Sequence, residues 1–184
     1  RATIEEFKVD PSKRPIITET QFTFGGAPKF VQIAETVRVL GIAATQEQIQ
    51  SWARRYTGYN DANTPNCPVF PVVREMLTDL GQKFDLFLTS GLPDAGLQED
   101  AKHRKLATYF LEIRGDDKAA FCKDLKKRGY REVIMVGDGK YDGLAAKEAN
   151  AKFIFTQSNA DLTRVWALLK RPDFDVAKLK SDPV

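Results

Sequence analysis

Two rhythms run along this chain, apolar residues at helical spacing and short unbroken apolar runs, and their order predicts the elements. Phe30, Ile33, Ala34, Val37 and Leu40 recur at helical spacing over residues 29–40, and a second helical run over residues 46–56 follows Thr45 as its N-cap. Ahead of them, Pro15-Ile16-Ile17-Thr18 is short, apolar and β-branched, which predicts a buried strand, with Gly25-Gly26 in the loop that follows. Residues 59–68 are dense in Asn, Asp and Pro and predict a loop. Beyond it, helices over 69–80, 94–108, 117–128, 141–150 and 160–170 alternate with apolar runs at 84–89, 111–114, 132–136 and 152–155, with Gly81 and Gly129 as stops. Such alternation predicts an α/β fold whose parallel sheet is covered by helices on both faces. The helical hairpin interrupts the alternation, so residues 28–66 are expected as a small cap insertion. The core is then expected from 15–27 and 67–171, with an extended arm over 1–14, where Asp10-Pro11-Ser12 is a turn, and an irregular tail over 172–184.

Length and composition narrow the picture. The 184 residues suit one well-buried core, and the 42% hydrophobic and 29% charged content is that of a folded globular chain. No apolar run approaches the roughly 20 residues of a membrane span. The formal charge of +3, from 28 basic and 25 acidic residues, is scattered, which argues against a nucleic-acid stripe. Cys67 and Cys122 lie far apart, and His103 is the single histidine, so zinc and Cys/His nucleophile schemes are poorly supported. The two thiols fit a reducing compartment. A chain beginning at Arg1 suggests a processed or trimmed product without a signal peptide, and a cytoplasmic and a processed organellar protein fit equally well.

In an open parallel sheet, loops leaving the carboxyl ends of the strands converge on one crevice. The candidate chemistry therefore lies just past each apolar run. Residues 132–136 lead into Gly137-Asp138-Gly139-Lys140-Tyr141-Asp142, where two carboxylates four residues apart suit one Mg²⁺ that keeps waters and a substrate phosphate. Residues 84–88 end in Thr89-Ser90-Gly91, whose hydroxyls and backbone N–H groups suit phosphate oxygens. After residues 111–114, Gly115-Asp116-Asp117-Lys118 sets an ammonium near a helix N-terminus, an anion clamp.

A run ending in Thr-Ser, then a lysine at a helix start, then a run entering GDGxxD resembles, in that order, motifs two, three and four of the haloacid dehalogenase (HAD) superfamily, over about residues 15–170. The resemblance implies a Rossmann-like core with a small helical cap. It further implies phosphate binding by Thr89 and Ser90, a clamp on phosphate and nucleophile at Lys118, and Mg²⁺ acids at Asp138 and Asp142. Phosphatases of this superfamily carry D-x-D-x-T directly after the first strand, the first Asp attacking phosphorus and the second acting as acid and base. Glu19-Thr20-Gln21-Phe22-Thr23 falls at that place. Glu19 and Gln21 thus stand as degenerate catalytic positions, with Glu19 also a third oxygen ligand for the metal. Gln21 cannot give up and recover a proton, which would remove a contribution of roughly 10²–10⁴-fold. A strand-end acid is rarely left unpaired, so Glu19 is also expected to bridge to Lys118.

Three functions follow as expectations. The first is a HAD-like protein with impaired or lost phosphatase activity, kept as a binding or scaffold subunit that meets a protein partner or larger assembly through its termini or cap. The second is a working Mg²⁺-dependent phosphohydrolase on a small phosphate ester. The third is a sensor that binds a small phosphorylated metabolite without turning it over.

Overall fold

The computed structural model describes residues 10–63 and 66–183. The chain forms two compact units, Arg1–Asn66 and Cys67–Val184. Residues 1–9 of the expected arm lie outside the described residues. The turn at its end is present, since the Asp10 carboxylate accepts from the Ser12 N–H at 2.9 Å and caps a 3-10 turn over Pro11–Lys13.

The described elements of the first unit are α1 (Arg14–Thr23), α2 (Lys29–Val39) and α3 (Gln46–Asn63), besides that 3-10 turn. Helix α1 replaces the strand expected at residues 15–18, and the reason is local. Pro15 sits in the first turn, where its missing N–H is no loss. The Thr18, Thr20 and Thr23 hydroxyls donate to the carbonyl oxygens of Arg14, Ile16 and Glu19 at 3.0, 2.8 and 2.9 Å, so β-branched residues are accommodated on the helix. Ile17 and Thr20 are buried while Thr18 and Glu19 are exposed, the pattern of a helix face. On α2, Gln32, Ile33, Thr36 and Val37 are buried; the Gln32 amide donates to the Ala27 carbonyl at 2.7 Å and the Thr36 hydroxyl to the Gln32 carbonyl at 2.8 Å. Thr45 caps α3 as expected: the Gln48 N–H donates to its hydroxyl at 3.3 Å, and its own N–H donates to the Gln48 side chain at 2.8 Å. Helix α3 continues through residues 59–63, where a loop was expected, and the Asn63 amide donates back to the Tyr59 carbonyl at 2.7 Å. Ile33, Val37 and Ala53 form the small core of this unit, with Trp52 and Tyr56 packed against it and Tyr59 exposed.

The second unit carries the alternation: α4 (Val73–Leu80), β1 (Phe87–Thr89), α5 (Asp94–His103), β2 (Glu112–Arg114), α6 (Lys118–Lys127), β3 (Ile134–Gly137), α7 (Lys140–Glu148), β4 (Lys152–Phe155) and α8 (Asn159–Leu169). Helix α4 starts four residues later than expected, after Pro71, and α5 stops at His103 ahead of a short 3-10 turn over Ala107–Tyr109. Gly129, at φ 104°, ends the α6 segment in the left-handed conformation that glycine adopts freely. The strands are parallel, β1 with β2 and β3 with β4, Leu88 standing opposite Ile113 and Met135 opposite Phe153. Leu86, Ile134 and Ile154 pack with Met76 and Leu80 of α4 and Val165 and Leu169 of α8. Their neighbours point the other way: Phe87 meets Phe121 of α6 with ring centroids 5.9 Å apart, and Met135 and Phe153 pack with Cys122 of α6 and Ala146 of α7. This period of two, apolar on both faces, is the expected Rossmann-like arrangement. No helix among the described residues is long and apolar enough to cross a membrane.

Candidate functional site

Parallel strands bring their carboxyl ends to one edge of a sheet, so the segments after Thr89, Arg114, Gly137 and Phe155 are the candidate site. The loop after β1 lies on the loop after β2, the Asp94 carboxylate accepting from the Gly115 N–H and the Leu92 carbonyl from the Asp116 N–H at 2.9 Å. The approach is so close that a Cβ on Gly115 would stand 2.0 Å from the Leu92 carbonyl oxygen. Asp117 then caps α6 by accepting from the Ala120 N–H at 2.9 Å, which makes Lys118 the first helical residue.

Lys118 and Asp142 meet across 24 residues of sequence. The Lys118 Nζ donates to Asp142 Oδ1 at 2.5 Å, and the two side chains are only 12% and 8% exposed. The other Asp142 oxygen accepts from the Gly139 N–H at 3.0 Å at the start of α7, where the Asp142 N–H donates to the Gly139 carbonyl at 3.0 Å. Gly137 makes room for this carboxylate, because a Cβ there would lie 2.5 Å from the Asp142 carboxyl carbon. Close approach, not a left-handed turn, is what the glycines of this loop provide, since Gly139 is extended at φ −123°. On the other side of β3, the Thr156 N–H donates to the Gly137 carbonyl at 2.9 Å.

The other expected site residues fall in different settings. Asp138 is exposed and lines a cleft of about 220 Å³ with Phe70, Gly137, Thr156, Gln157, Ser158 and Leu162. The Ser90 hydroxyl accepts from the Leu92 N–H at 3.3 Å and shapes a turn. Thr89 ends β1 with a hydroxyl that is buried and has no hydrogen-bond partner. Glu19 and Gln21 lie on helix α1 of the first unit, Glu19 exposed, so they do not stand at the end of a strand and their alignment with D-x-D-x-T fails. The partner of Lys118 is Asp142, not Glu19. Among the described residues no three His, Cys, Asp or Glu side chains form a group that could hold a metal ion.

Three contributors went unnoticed in the sequence. Asp94 holds the Gly115 backbone, although nothing in its surroundings marks it. Ser158 and Asp161 form a capping box at the start of α8, a signal that the spacing S-x-x-D does carry. The Gln157 N–H, and after it the Ser158 hydroxyl, hold the Asp161 carboxyl below its ordinary range and so fix the loop that lines the cleft. Burial pushes the Cys122 thiol up, which suits a packing residue and not a nucleophile.

The sequence profile of the haloacid dehalogenase-like hydrolases matches residues 29–156. A haloacid dehalogenase-like family hydrolase from Streptococcus pneumoniae is similar in structure, with a TM-score of 0.65 and 22% identity over 93% of this chain and 80% of that one. A predicted phosphoglycolate phosphatase from Haemophilus somnus 129pt is similar with a TM-score of 0.62 and 17% identity over 84% of this chain and 74% of that one. No curated protein matches significantly. Two structures at such identity speak to the fold, whereas the profile covers more than half of the chain: it belongs to the haloacid dehalogenase-like hydrolase family.

Proposed function

We propose that the crevice at the carboxyl ends of β1, β2 and β3 is the phosphoester site of a Mg²⁺-dependent phosphohydrolase acting on a small phosphate ester. The Lys118–Asp142 pair carries this reading. A nearly buried ion pair contributes little net stability against the desolvation of its charges, but it holds an ammonium in one place. Lysine has three N–H donors, so two remain for an anion after Asp142 has taken one. The unpartnered Thr89 hydroxyl supplies a further donor at a neighbouring strand end.

Asp138 and Asp142 offer hard oxygen donors of the kind Mg²⁺ takes beside water and phosphate, and they would hold the ion. Bound there, Mg²⁺ would offset charge on the phosphoryl oxygens. In the overall reaction the ester P–O bond breaks, water supplies the new oxygen on phosphorus and a proton reaches the departing alcohol. An inactive scaffold follows only if Glu19 and Gln21 are worn catalytic acids, and on α1 they are exposed or half-buried helix positions. The likeness to a predicted phosphoglycolate phosphatase supports a small phosphorylated substrate.

Inorganic phosphate with Mg²⁺ should raise the melting temperature, and a ligand at 100 times its dissociation constant adds about 2.7 kcal/mol. Lys118→Met should abolish the rise. Because that change strands the buried Asp142, Thr89→Val is the milder companion: it removes a buried hydroxyl that has no partner, so it should leave stability unchanged or raise it by about 1 kcal/mol while weakening phosphate binding. Equal stabilisation by phosphate in the parent and both variants would rule the site out.

A further inference from the structure

Residues 174–182, within the tail expected as irregular, run from the end of α8 to the outer edge of β4. In a parallel ladder alternate residues turn their N–H and C=O groups to one neighbour and the rest to the other side. The Lys152 N–H donates to the Val133 carbonyl at 2.8 Å and the Thr156 N–H to that of Gly137 at 2.9 Å, so residues 152, 154 and 156 face β3, and Phe153 and Phe155 face outward. There the Phe153 N–H donates to Ser181 Oγ at 3.1 Å, the Phe155 N–H to Asp182 Oδ2 at 2.7 Å and the Asp182 N–H to the Phe153 carbonyl at 2.9 Å. Asp182 thus stands where one residue of a neighbouring strand would, with a carboxylate in place of the peptide carbonyl. The segment is anchored short of this point. Lys83 Nζ donates to the Leu169 and Arg171 carbonyls at 3.2 and 2.8 Å and lies 5.4 Å from the centroid of the Phe174 ring, while Phe174 and Leu179 pack on the cluster shared by α4 and α8. Past Leu179 the hold passes to the bonds with β4, two of them made by side chains, and Ser181 is exposed.

We propose that Ser181 and Asp182 are the closing end of a strap hinged at Leu179, and that lifting it lets β4 pair edge to edge with β4 of a second copy of this chain. The strand has the composition of one that pairs readily: Lys152-Phe153-Ile154-Phe155 is apolar after its first residue, aromatic and β-branched, and holds neither Pro nor Gly. Such an edge is a template for another strand unless a loop or a charge covers it, and Asp182 supplies both. The register of β4 is also self-complementary. With Ile154 on a two-fold axis, antiparallel copies set Phe153 opposite Phe155, and the outward groups of each such pair exchange both N–H···O bonds. Every β4 group that the strap serves is then served by the other copy. Lys152 faces Thr156 across the axis, so no like charges stand opposite each other. An isologous contact of this kind needs no partner but the chain itself. The inference concerns the far edge of the sheet and would survive failure of the phosphate reading.

The test uses Ser181→Ala with Asp182→Pro, which removes both side-chain acceptors and the N–H donor but leaves Phe174 and Leu179 in place. Amide hydrogen exchange and sedimentation are followed from about 1 μM to 1 mM, the range in which unpaired strand edges associate. In the parent, exchange at Phe153 and Phe155 should be slow at every concentration. In the dilute variant these two amides should exchange about 10-fold faster or more, and they should slow again as the mass doubles. The amides of Lys152 and Ile154 face β3 and should stay slow throughout. Asp182→Ala, which keeps the Ser181 bond, should move Phe153 and Phe155 in the same direction by less. The proposal is overturned if the double variant stays monomeric over the whole range, if Phe153 and Phe155 remain fast in its dimer, or if the parent dimerises through this edge as readily. Loss of protection at Lys152 and Ile154 along with the other two would overturn it as well, since the tail would then hold the sheet together and not guard its edge.

Discussion

Glycine and threonine at the strand ends show how far single residues decide this site. Gly115 lets the loop after β2 touch the loop after β1, and a methyl group in its place would meet the Leu92 carbonyl oxygen at 2.0 Å, with backbone of Pro93 and Asp94 at 2.8 Å. Backbone cannot step aside as a flexible side chain can. Gly115→Ala should therefore lower stability by about 2–4 kcal/mol, read from the denaturant midpoint, and a loss under about 0.5 kcal/mol would show that the loops are free to part. At this scale the sequence was partly legible. Thr89, Lys118, Asp138 and Asp142 stood out because each follows an apolar run, where a polar group has a crevice to serve. Their mutual geometry did not stand out: the pairing of Lys118 with Asp142 depends on how α6 and α7 pack, and the role of Gly137 depends on where the Asp142 carboxylate turns.

Among the elements, α1 was misread and α2 was not, and the difference is physical. α2 presents its apolar residues at an unmistakable helical period, whereas residues 15–18 are β-branched and too short to display any period until Ile17 and Thr20 are seen as one face. Threonines bonding back to carbonyls four residues earlier satisfy their hydroxyls within that helix. β2 and α6 are joined differently, by charge. Glu112 and Asp124 accept hydrogen bonds from Arg128, and Arg114 bridges to both. Arg128 is the main cause that holds both carboxyls below their ordinary range. The folded chain thus binds fewer protons than the unfolded one in mild acid, so this contribution is complete above roughly pH 4.5 and is lost as pH falls through the lowered folded values. Urea midpoints measured from pH 6 down to pH 2.5 should fall less steeply for Arg128→Gln than for the parent. Because these groups are largely exposed, the difference should shrink at high salt, and parallel curves would mean that the network adds nothing.

For the whole molecule, alternation of helical and apolar runs made the α/β class legible, because a parallel sheet requires a crossover between every pair of strands. The division after Asn66 and the break between the two strand pairs were not legible, since neither leaves a periodic signal in the residues that are present. A motif alignment filled the place of a first strand with residues 15–23, and the helical conformation of Arg14–Thr23 empties it again. The consequence can be measured. If Glu19 and Gln21 were decayed nucleophile and acid, changing both to aspartate would restore catalysis, and the acid/base function alone is worth roughly 10²–10⁴-fold. With the chemistry proposed at the strand ends of the second unit and the pair on α1, Glu19→Asp with Gln21→Asp should leave turnover of an aryl phosphate in Mg²⁺ where it was. Glu19→Ala, an exposed helix position, should change stability by no more than about 0.5 kcal/mol and phosphate binding not at all. A rise in turnover with the two aspartates would return the chemistry to residues 19–23, whereas its absence, together with loss of phosphate binding in Thr89→Val, would confine it to the strand ends of the second unit.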